Sequence, residues 1–90
     1  MLQANVPVPV PIRVTHIEGP THLTAGQKIF AHYKADDPEV YARIKSMRKL
    51  GVGVCETKNK EVEIYADSTG KIWGISLALP GRYFLIKETG

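Results

Sequence analysis

Ninety residues with a formal net charge of +3 make one small, mildly basic domain. A hydrophobic content of 43% beside 23% charged residues excludes a disordered chain, and a lone cysteine, Cys55, excludes an intramolecular disulfide. No run approaches the ~20 apolar residues of a membrane-spanning helix. Met1 to Pro7 has neither the basic start nor the apolar stretch of a signal peptide, so the expectation is a chain made in the cytoplasm, with no membrane partner.

The first segment is the most unusual. Val6, Pro7, Val8, Pro9, Val10 and Pro11 alternate strictly. Proline fixes φ and has no N–H to give a ladder, so this stretch reads as an extended arm near polyproline II. Two readings stand: a stiff leader, or an arm that docks on another chain. The domain division is therefore an arm over 1–11 and one β-rich domain over 12–90.

Ile12 to Glu18 is β-branched and roughly alternating, and predicts strand 1. Gly19-Pro20 ends it, and Ala25-Gly26 makes a turn. Lys28 to Ala35 predicts strand 2, with Ile29, Ala31, Tyr33 and Ala35 on one face. Asp36-Asp37-Pro38-Glu39 then announces a helix: an Asp cap, proline at the first position and an acid in the first turn. Val40, Ile44 and Met47 form an apolar stripe, and Gly51 is placed as the residue that stops the helix, which predicts a helix over about 38–50.

Period two returns after Gly51. Val52–Thr57, Glu61–Asp67, Lys71–Leu79 and Arg82–Thr89 predict strands 3 to 6, joined by short turns and hence antiparallel. The fold class expected is mostly β: an antiparallel sandwich-like domain of about six strands, with the helix inserted between strands 2 and 3. Whether the final strand is an edge is open at this point; an exposed one could extend a neighbour's sheet.

Asp67-Ser68-Thr69-Gly70-Lys71 and Leu77 to Thr89, with Pro80-Gly81-Arg82-Tyr83 at the corner, resemble the closing strands of immunoglobulin-like β-sandwich modules. The similarity is to carboxypeptidase-regulatory-like and collagen-adhesin B-type modules in particular, over about a third of the chain. It implies a sandwich architecture and a structural role, and no ligand. Adhesin modules join a first-strand lysine to a later Asn or Asp with the help of an acid. Glu88 matches the acid, but the first strand carries Arg13 and no lysine, so the bond is not implied here.

The residues carry no recognisable catalytic pattern. His16, His22 and His32 match no tight metal motif, although His16 and His32 could meet across paired strands. Asp36 and Asp37 serve as caps. Glu61 and Glu63 read as surface partners of Lys58, Lys60 and Lys71. Cys55 reads as a small buried hydrophobe. No cofactor, metal or catalytic residue is expected.

Two functions remain. The first is a non-enzymatic structural or attachment subunit of a larger protein assembly, docking through Val6–Pro11 onto copies of an assembly subunit, with homo-oligomers also open. Its most developed form is a bacteriophage virion component, a head decoration or tail protein, incorporated after synthesis in the cytoplasm. The alternative is a small nucleic-acid-binding or host-modulating regulator that uses Arg43, Lys45, Arg48 and Lys49 on the helix.

Overall fold

A computed structural model describes residues 10–78 and 81–88, the side chains of 33, 34, 87 and 88 excepted. Its elements are β1 (Val10–Ile17), β2 (Lys28–Ala35), α1 (Pro38–Lys45), β3 (Arg48–Cys55), β4 (Lys60–Ala66), β5 (Ile72–Ser76) and β6 (Tyr83–Glu88). The mostly-β, antiparallel reading with a single helix after β2 holds. The sandwich does not. The six strands close into one barrel in the order β1-β2-β6-β5-β4-β3, with β3 returning to β1.

Closure comes from β1, which pairs on both sides. Val10 to Arg13 lie against Ala31 to Lys28 of β2, while Ile12 and Val14 face Cys55 and Gly53 of β3. β6 is likewise held between β2 and β5, so it offers no free edge to a neighbour's sheet. A closed sheet removes the unpaired N–H and C=O rows that invite strand addition.

The interior is a single apolar cluster. Ile12, Val14, Ile29, Leu50, Val62 and Ile64 are each almost wholly buried there. Glycines set its bore. Gly51 and Gly74 flank Ile64 across the ladder. A Cβ on Gly51 would run into the carbonyl oxygen of His16, and one on Gly74 would sit 2.8 Å from Ile86 Cδ1. Large and small residues thus alternate across neighbouring strands, as a narrow barrel requires.

The outer face of β4, β5 and β6 carries a second cluster: Tyr65, Ile75 and Tyr83, with Trp73 beside them. These residues face away from the barrel interior and are buried by α1 instead. Asp37 caps the helix, its carboxylate accepting from the backbone N–H of Glu39 at 2.9 Å, with Pro38 in the first turn as expected. Ile44 is the helix's buried residue and sits in this second cluster. The segment after β2 therefore crosses outside β6, β5 and β4 to reach β3.

The helix ends at Lys45, five residues short of the expected Leu50. Ser46 closes it: its backbone N–H and its hydroxyl both donate to the carbonyl of Arg43. Arg48 and Lys49 then pair with Ala66 and Tyr65 of β4, and Leu50 turns into the barrel. Gly51 is consequently a close-approach position inside β3 and not a helix stop. Burial of Leu50 and a β3–β4 ladder outweigh one more helical turn. A second correction concerns β2. The ladder to β6 shifts between Ala31 and Tyr33, so Ala31 lies in the barrel while Ala35 joins the outer cluster, and the expected single face is broken.

Candidate functional site

Among the described residues, the end of the barrel where β1 begins is open. A cavity of about 300 Å³ lies there, walled by Val10, Val62, Ala78 and Phe84. Cys55 and Ser76, at the ends of β3 and β5, also line it. Lys58, Lys60 and Arg82 complete the lining. The cavity is therefore apolar with three cations and, among the described residues, no carboxylate in its lining.

Nearby carboxylates are occupied elsewhere. Glu56 meets Arg13 at 2.6 Å and Lys28 at 3.4 Å, and the Arg13 hydrogen bond, opposed by partial burial, draws its pKa below the usual carboxylate range. Glu63, expected to pair with Lys58, Lys60 or Lys71, instead takes Lys49 at 3.1 Å and a hydrogen bond from the Tyr65 hydroxyl at 3.0 Å. Burial pushes the Glu63 pKa up, and these two partners more than offset it. No ion pair engages Lys58, Lys60 or Arg82 among the described residues.

Cys55 is buried, as expected of a small hydrophobe. Burial, the largest influence on its thiol, pushes the pKa up. The Thr57 hydroxyl at 3.3 Å, the amides of Lys58 and Thr57 and the Lys58 charge outweigh it and leave the thiol below its usual range. Ser76 is 6% exposed, and its hydroxyl makes no hydrogen bond to a described residue.

Of the arm, Val6 to Pro9 lie outside the described residues. Val10 and Pro11 are in β1, and Val10 is part of the cavity wall. The basic set is divided. Arg43 and Lys45 are exposed in the last turn of α1. Arg48 is in β3, where it donates to the carbonyl of Pro20 at 2.6 Å. Lys49, also in β3, is held by Glu63 and by Glu18 at 3.3 Å; the Glu63 hydrogen bond raises its pKa against the opposing pull of burial. Arg43 and Arg48 share a shallow depression with Asp67. These four cations thus form no continuous helix face. His16 faces Val52 of β3, beyond the β1–β2 ladder, and does not meet His32. Among the described residues no group of three or more His, Cys, Asp or Glu is gathered as for a metal ion. Among the described residues no helix is long and apolar enough to cross a membrane.

Asp67, in the turn that resembled the D-x-x-G of sandwich modules, organises the β4–β5 connection. Its carboxylate accepts from Thr69 Oγ1 at 2.6 Å, the amides of Thr69 and Lys71, and Trp73 Nε1 at 3.3 Å. The Thr69 hydrogen bond leads in lowering its pKa to about 2. A depressed carboxylate stabilises the fold above its unfolded pKa, and the contribution is lost as pH falls through the folded value. In an NMR titration the Asp67 carboxyl should therefore titrate near pH 2, below the usual carboxylate range. Asp67→Ala should lower the melting temperature at pH 7 and leave it unchanged at the acid end of that range. Equal losses at both ends would contradict this assignment.

No family model, no curated protein and no solved structure matches this chain.

Proposed function

We propose that this protein is a non-enzymatic attachment subunit of a larger protein assembly, held there through its N-terminal arm. A bacteriophage virion component, a head decoration or tail protein, is the form of this reading that the Pro-rich arm and small body suit. The observation that carries it is the seating of the arm's base. Val10 and Pro11 pair with Ala31 and Phe30, so the Val-Pro repeat runs directly into a barrel strand. Force or contact on the arm is thereby passed to the closed sheet, with no flexible joint between Pro11 and Ile12. A barrel without open edges leaves arm and side-chain surface as the means of contact.

The test is a pull-down from the native source with the full chain and with a chain lacking residues 1–9. The deletion stops at Pro9 because Val10 and Pro11 belong to β1. The expected result is one abundant assembly protein recovered near stoichiometry by the full chain and lost with the arm. Recovery of the same partners by both chains, or of nucleic acid released by salt, would contradict it. The second outcome would turn attention to Arg43, Lys45, Arg48 and Lys49.

A further inference from the structure

We propose that the open barrel end is a binding site for a small anionic amphiphile: an apolar body carrying a carboxylate or phosphate head. Three observations converge on it. The cavity, at about 300 Å³, reaches the lower end of the size range of small-molecule sites and is walled by Val62, Ala78 and Phe84. Lys58, Lys60 and Arg82 surround that apolar wall with no ion-pair partner among the described residues. Ser76 lines the same cavity at 6% exposure with its hydroxyl unpartnered by any described residue.

Each observation selects a feature of the ligand. An apolar wall favours an alkyl or aromatic body. Three cations with no ion-pair partner among the described residues favour an anion and disfavour a cation of the same shape. A buried hydroxyl without a partner is costly, and a ligand oxygen would accept its hydrogen bond. An ordinary surface lysine cluster would lack the apolar wall and the buried hydroxyl. The proposal is independent of the attachment reading: removal of residues 1–9 tests that reading, and the ligand experiments test this one.

The experiment uses the full chain and titrates it with sodium octanoate and with octyl phosphate, with octyltrimethylammonium as the control of opposite charge. Calorimetry gives affinity, and amide NMR spectra report the location and the integrity of the fold. Both anions should shift the amides of Cys55, Val62, Ser76 and Phe84, and the ammonium should not. Reversing the rim with Lys60→Glu and Arg82→Glu together should weaken octanoate at least about tenfold, since each tenfold corresponds to a modest electrostatic change. Ser76→Ala, which leaves the rim intact, should weaken it by roughly threefold, as loss of one neutral hydrogen bond does. Tighter binding of octyl phosphate than of octanoate would support the site and assign it to a dianionic head. Absence of shifts at the barrel end, equal binding of the ammonium, or unchanged octanoate affinity in a folded rim variant would overturn the proposal.

Discussion

Replacing Gly51 with alanine is expected to cost about 3 kcal/mol, at the upper end of what overpacking does, and to lower the melting temperature by more than about 10 °C. The reason is the identity of the obstructing atom. A Cβ at Gly51 meets the carbonyl oxygen of His16, which belongs to the backbone of β1. A backbone oxygen cannot turn aside as a side chain can, so the β1–β3 seam itself must part. Gly74 makes the informative comparison. There the new Cβ meets Ile86 Cδ1 at 2.8 Å and Val62 Cγ1 at 3.0 Å, both at the ends of side chains. Alanine also restricts the unfolded chain, which offsets about 0.4–1 kcal/mol. Gly74→Ala should therefore be clearly milder than Gly51→Ala in thermal or denaturant unfolding. Equal losses at the two sites would mean that the seam is not packed as described.

Ile64→Ala is expected to be comparably severe, at about 4 kcal/mol within the usual range for truncating a buried isoleucine. Ile64 is fully buried, and its ladder neighbours on both sides are Gly51 and Gly74. Neither has a side chain that could lean into the space left behind, so the cavity should persist. Ile44→Ala removes an equally buried side chain from the outer cluster, where Val40, Tyr41 and Met47 lie at the margin and can shift. It should cost less than Ile64→Ala and should loosen α1 without opening the barrel. Chemical denaturation of the two variants checks this order. A larger loss at Ile44 would place the stability of the molecule in the helix–sheet contact.

Those two positions also mark where sequence reasoning reached its limit. Alternation along β4 was legible because Val62, Ile64 and Ala66 enter the core while Glu61 and Glu63 do not. The helix start was legible because a cap, a proline and an acid act locally at Asp37, Pro38 and Glu39. The helix end was not. Met47 and Leu50 continue the stripe of Val40 and Ile44, and only pairing of Arg48 and Lys49 with the distant β4 breaks the pattern. Gly51 looked like the stop between helix and strand, but it and Gly53 are the small residues that let β1 approach β3. Barrel closure was hidden for a related reason: each seam of β1 is set by long-range pairing, and no local signal specifies it. The open end was hidden too, because its residues come from the ends of separate strands. Lys58 and Lys60 sit together at the β3–β4 connection, and Arg82, just before β6, joins them only because the closed barrel brings both segments to one end.

The closed barrel underlies both the seating of the arm and the basic, apolar opening beside it. The most direct measurement is a nuclear Overhauser experiment on the full chain, reading contacts on both sides of β1. The account predicts cross-strand contacts from Ile12 to both Ile29 and Cys55, and from Val14 to Gly53. Amides on both flanks of β1 should also exchange slowly with solvent. Contacts from β1 to β2 alone, with rapidly exchanging amides along the facing side of β3, would describe an open sheet and contradict it.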